Sequence, residues 1–149
     1  MLTVDTVTTA SPEQTWAVLA DGWSFAGWVV GASRIREVDL GWPAEGTRIH
    51  HSVGGWPLVL DDTTTVLRSA EQRELVLQAR GWPAGEARVE LELTPQTVSG
   101  GDGCRITMRE DATHGPGRFL PLPLRWLGIV PRNRECLRRL VLLAEGRAR

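Results

Sequence analysis

The sequence predicts an α+β domain in which one strand, two short helices and a meander of six further strands lead into a long C-terminal helix. Three observations predict it. A β-branched opening segment runs directly into a helix-capping signature. Clusters of Gly, Pro and Ser then recur every ten to fifteen residues, the spacing of an antiparallel meander. From Arg118 onward, apolar residues fall near helical spacing instead.

Taken in order, Leu2-Thr3-Val4-Asp5-Thr6-Val7-Thr8 reads as the first strand. Ser11-Pro12-Glu13-Gln14 supplies an N-cap, a first-turn proline and a capping-box glutamine, and a short helix through Thr15–Ala20 follows. It ends near Asp21-Gly22. A brief helical piece, Trp23–Trp28, leads to a strand near Ser33–Val38. The turn signals after it are Gly41-Trp42-Pro43, Gly54-Gly55-Trp56-Pro57, Ser69–Gln72, Gly81-Trp82-Pro83 and Ser99–Gly103. Between them Ala87, Val89, Leu91 and Leu93 share one strand face, and Glu86, Arg88, Glu90 and Glu92 share the other. Such a sheet has a covered side and a wet side.

In the last segment Leu127, Val130, Leu137, Leu140, Val141 and Ala144 mark the apolar face, with Arg132, Arg134, Arg138 and Arg139 on the polar surface. Pro121 and Pro123 put the helix start no earlier than about Leu122. Pro131 removes a backbone donor and crowds the preceding turn, so a kink or break is expected between Leu122–Ile129 and Arg132–Glu145.

The 149 residues fit one domain, spanning 1–149, with enough length for a substantial core. Seventeen basic against 18 acidic residues give a formal charge of -1, and no basic block is interleaved with aromatics, so nucleic acid is not an expected partner. All the basic residues are arginine, which suggests a high-GC bacterial genome. A charge-free apolar run of about 20 residues is absent, and so is a basic-then-apolar leader; neither a membrane-spanning helix nor a signal peptide is expected. A cytoplasmic location follows. Cys104 and Cys136 lack metal-ligand spacing and read as buried thiols. His50, His51 and His114 lack the spacing of a helical zinc pair. No nucleotide or nucleophile-elbow fingerprint occurs, so neither metal nor cofactor is expected.

Gly-Trp-Pro occurs three times, at Trp42, Trp56 and Trp82. A tryptophan carries roughly 150–250 Å² of buriable surface, worth roughly 4–6 kcal/mol, so each must lie against something. The intervals are unequal, which makes these turns rather than repeats.

The segment from Ala10 to Asp21, followed by Trp28 and the strand Ser33–Val38, resembles the START-like or SRPBCC superfamily of polyketide cyclases, lipid carriers and birch-pollen-allergen-like proteins. Glu45-Gly46-Thr47-Arg48 and the terminal Leu140–Glu145 extend the resemblance over essentially the whole chain. The proline-laced run Phe119–Trp126 departs from it. The resemblance implies a helix-grip fold, a curved seven-stranded antiparallel sheet around the long helix with a cavity between them. It also implies that the mouth lies where Trp56, Trp82, the Trp23–Gly31 segment and His114–Gly117 gather, with Trp42 at the other end stapling a hairpin to the body.

Candidate ligand-binding residues are accordingly Trp28, Trp56, Trp82, Met108, Phe119 and Trp126, each of which could equally pack in the core. Inward polar residues are more informative, because an unpaired buried polar group is costly. Alternation places Glu110 beside Cys104, Ile106 and Met108, and places His51 beside Ile49 and Val53. Asp61 and Asp62 straddle both faces of their strand, so one of them can point inward. His51 and Glu110 are candidate catalytic residues, an acid and base for a bound polyketone. The structural alternative is that Glu110 meets an arginine and His51 caps a backbone carbonyl. Expected functions are a carrier for a hydrophobic or amphipathic small molecule, a polyketide aromatase/cyclase, or a ligand-free interaction module using the last helix.

Overall fold

A computed structural model describes residues 1–53, 57, 59–81 and 85–148. Strand β1 (Leu2–Thr8) is followed by helix α1 (Pro12–Leu19), a 3₁₀ turn (Gly22–Ser24) and helix α2 (Phe25–Trp28). Strands β2 (Ala32–Val38), β3 (Arg48–Val53), β4 (Leu60–Ala70), β5 (Glu74–Gly81), β6 (Gly85–Val98) and β7 (Gly101–His114) form the meander. A second 3₁₀ turn (Pro116–Phe119) precedes helix α3 (Leu122–Arg147).

The Ser11 hydroxyl accepts from the Gln14 backbone N–H at 3.1 Å, and the Gln14 side chain accepts from the Ser11 N–H at 2.8 Å, so the capping box closes in both directions. Between β6 and β7, Ser99 and Gly100 both take positive φ, the requirement of a tight two-residue hairpin with matching twist.

All seven strands join one antiparallel sheet in the order β1-β7-β6-β5-β4-β3-β2. Consecutive strands pair except that β1 closes on β7. Register irregularities add two residues to β2, one to β4 near Leu67 and one to β7 near Thr113. These bends curve the sheet around α3. None falls on β3, and the one on β7 lies beyond Glu110, so simple alternation holds at His51 and Glu110. The result is the helix-grip fold.

Helix α3 is continuous through Pro131. Of the kink or break expected there, the break does not occur. Val130, Asn133, Leu137, Leu140 and Ala144 form a buried stripe at steps of three and four, while Pro131 and Leu127 face solvent. The Leu127 carbonyl deprived of its partner can therefore bond to water. Burial along the opposite stripe outweighs the proline penalty of about 3 kcal/mol. Leu127, expected on the apolar face, is 63% exposed. The far end of α3 is tied to β1, where the Thr8 hydroxyl donates to Glu145 at 2.8 Å.

Candidate functional site

Cross-strand register explains why a cavity lies between the sheet and α3. Successive inward rows cross β5, β6 and β7. The deepest of interest is Leu75–Leu91–Met108, and the next is Leu77–Val89–Glu110. Above them lies Ala79–Ala87–Ala112. Large side chains fill the first rows and three methyl groups occupy the last, so the interior empties toward that end. Gly31, Ala32, Gly117 and Gly128 continue the small-residue lining on the facing elements. The space measures about 370 Å³. Phe25, Val30, Leu120, Leu124 and Ile129 complete its apolar wall. Gly85 holds one corner. Its φ of +106° and a virtual Cβ only 2.0 Å from the His114 carbonyl oxygen exclude any side chain there.

His51 and Glu110 both line this cavity. The Glu110 carboxylate is buried and receives Arg132 Nη1 at 3.1 Å and Asn133 Nδ2 at 2.8 Å. Arg132 is itself held by the Val30 carbonyl, which accepts from Nε at 3.1 Å. The carboxylate therefore meets an arginine, and the arginine comes from the helix.

The imidazole of His51 stacks on Phe25 with ring centroids 5.6 Å apart and contacts the Thr64 hydroxyl through Nε2 at 2.9 Å. Its partner is thus a hydroxyl rather than a backbone carbonyl. The other ring nitrogen, Nδ1, is buried without a hydrogen-bond partner, a condition that costs about 1–3 kcal/mol. Burial pushes the imidazole below its usual pKa, Arg36 and His50 add to that push, and Asp62 opposes it. Asp62 shares the inward side with its register partner His51. Asp61 points outward, taking a bond from the Ser52 hydroxyl and pairing with Arg36.

The structure moves most of the expected aromatic lining elsewhere. Trp28 lies in the core, 2% exposed and edge-on to Phe25 at 5.4 Å. Phe25 takes the cavity wall in its place. Met108 sits two residues deeper than Glu110, below the cavity floor. Phe119 is 79% exposed under the Arg118 guanidinium, and Trp126 is turned outward because Leu124, Arg125, Gly128, Ile129 and Arg132 take the cavity side of α3. Trp56 and Trp82 lie outside the described residues. Trp42 donates its indole N–H to the Leu19 carbonyl at 3.0 Å and staples the β2–β3 loop to the end of α1.

Sequence reasoning missed Phe25, Thr64, Arg125, Asn133 and the lining role of Arg132. The spacing of Leu124, Arg125, Gly128, Ile129 and Arg132 marks one helical face, and that signal was there to be read. Among the described residues no group of His, Cys, Asp and Glu could hold a metal ion. No helix among them is long and apolar enough to cross a membrane. Cys104 and Cys136 are free and buried.

A curved seven-stranded sheet gripping one helix, with an apolar, partly polar-lined cavity between them, defines the helix-grip class of α+β folds. Residues 1–145 match the model of the polyketide cyclase/dehydrase and lipid transport family, and the chain belongs to that family. No curated protein matches it. Among solved structures it is similar to protein NE0264 from Nitrosomonas europaea (15% identity, TM-score 0.70, 99% of this chain and 95% of that one). It is also similar to Ara h 8.0201 (12%, TM-score 0.68, 97% of each). A third is the di-domain ARO/CYC StfQ from the steffimycin biosynthetic pathway (13%, TM-score 0.69, 99% of this chain and 52% of that one). At these identities the likeness is one of fold.

Proposed function

We propose that this protein binds an amphipathic small molecule of lipid or polyketide type in the cavity and serves as its carrier or binding protein in the cytoplasm. The observation that carries this reading is the alanine row Ala79–Ala87–Ala112, which leaves about 370 Å³ open above a filled core. Cavities of this size with apolar walls and a few convergent polar groups are the usual form of a ligand site. An interaction module that needs no ligand would have every reason to fill such a space, because each void costs stability. The free thiols fit a reducing compartment.

The test is titration with the neutral fluorophore N-phenyl-1-naphthylamine. Wild type is expected to give saturable emission, and Ala87→Phe, whose ring projects into the cavity, is expected to abolish it while keeping the far-ultraviolet circular dichroism of the wild type. Equal titrations in both proteins would reject the reading.

One observation favours a second reading, an aromatase/cyclase. The unpartnered Nδ1 of His51 is the kind of group that takes a proton from a bound polyketone. Glu110 then has an orienting role through Arg132, since its oxygens are already engaged. Binding that survives His51→Ala and Glu110→Gln, with no turnover in wild type, favours the carrier. Product formation by wild type that His51→Ala removes while binding persists favours the enzyme.

A further inference from the structure

Resting on the cavity-binding reading, we infer that the ligand is uncharged and carries oxygen functions at two separated points, as a diol, hydroxyketone or diketone does, and is not a free carboxylate or an amine. Every charged residue lining the cavity, among the described residues, is already matched. Arg80 pairs with Glu86 at 3.2 Å, Arg125 with Asp111 at 2.9 Å, and Arg132 with Glu110 at 3.1 Å. Glu86 also takes the Gln78 amide and lies 3.4 Å from the His114 ring. Burial shifts His51 away from its charged form. A ligand anion or cation would leave water for a wall that offers it no counter-charge, and that transfer is unfavourable unless the charge is paired.

Two residues of the lining each hold a buried polar atom without a partner, His51 Nδ1 and Arg125 Nε, which a ligand oxygen reaches once the side chain turns toward the cavity. They belong to different walls, β3 and α3. Arg125 Nε–H can only donate, so it calls for an oxygen acceptor. His51 Nδ1 donates if the Thr64 hydroxyl gives its proton to Nε2 and accepts if it does not, so it takes either a carbonyl or a hydroxyl. Between the two walls lie methyl groups and glycines, suited to a hydrocarbon body.

The experiment measures displacement of N-phenyl-1-naphthylamine at pH 7 by 1,10-decanediol, 1-decanol and decanoate, three chains of equal length. The diol is expected to bind about tenfold more tightly than decanoate and about three- to tenfold more tightly than decanol, the gain of one added hydrogen bond. His51→Phe, which keeps the stacking on Phe25, and Arg125→Met should each remove most of the diol's roughly three- to tenfold advantage over decanol, with both ligands measured against the fluorophore in the same variant. Decanoate binding as tightly as the diol overturns the inference while the cavity reading stands. So does a diol no tighter than decanol. Failure of the fluorophore itself to bind removes the cavity reading and this inference with it.

Discussion

Arg132 and Glu110 join the helix to the sheet. One guanidinium nitrogen lies 3.1 and 3.3 Å from the two carboxylate oxygens, with the carboxylate shut away from water. Removing one member of such a pair strands the other, so the cost exceeds that of an exposed ion pair. Arg132→Met is expected to lose about 2–4 kcal/mol in urea unfolding. Arg68→Met, which breaks an exposed pair with Glu74 at 2.7 Å, is expected to lose less than about 1 kcal/mol. Equal losses would show that the Glu110 contact is solvated in solution.

Stability should carry the signature of His51. Its folded-state pKa lies below the usual 6.5 through burial, so as pH falls below that value the unfolded chain takes up the proton first. The contribution is fully present above about 6.5 and declines as pH drops toward the folded-state value. Carboxylates held low, such as Asp21, Asp39 and Glu74, respond only at more acidic pH. Melting temperature should therefore fall between pH 8 and pH 5, and His51→Gln should flatten the slope. An unchanged slope in the variant would assign the effect to other groups.

The two tryptophans Trp28 and Trp126 should separate sharply on truncation. Trp28 is sealed between Phe25 and the core, and Trp28→Ala is expected to cost about 3–5 kcal/mol. Trp126 is half exposed, and Trp126→Ala should cost no more than about 1 kcal/mol. Chemical denaturation of both variants decides it, and comparable losses would mean that Trp126 packs against something in solution.

Two glycines at the cavity should respond in opposite directions. Gly85→Ala forces a Cβ into the His114 carbonyl at a φ that disfavours any side chain, and a loss of several kcal/mol or failure to fold is expected. Gly128 lies within α3 with nothing within 4 Å of a virtual Cβ, so Gly128→Ala should gain about 0.5–1 kcal/mol. Thermal unfolding of both checks it. A destabilised Gly128→Ala would reveal a contact at the cavity wall.

Much of the fold was legible locally. The Ser11 capping box, the β-branched first strand and the turn clusters of the meander each depend on residues a few positions apart. Alternation placed His51 and Glu110 inward because β3 and that part of β7 carry no bulge. Helical periodicity identified the stripe from Val130 to Ala144 but misjudged Leu127, and it allowed a break at Pro131 that does not occur, since a proline's cost depends on whether its freed carbonyl meets water or protein.

By itself, then, the sequence determined the order of elements, the wet and dry faces of the strands and the inward direction of two polar residues, all of which follow from short-range periods and caps, while the family was legible through resemblance. Only the tertiary structure decided that Ala79, Ala87 and Ala112 stand in one row, that Phe25 rather than Trp28 faces the cavity, and that Arg132 closes on Glu110. A cavity is set by which side chains meet across paired strands and a docked helix, and those meetings join residues far apart in the chain whose sizes and charges carry no local sign of one another.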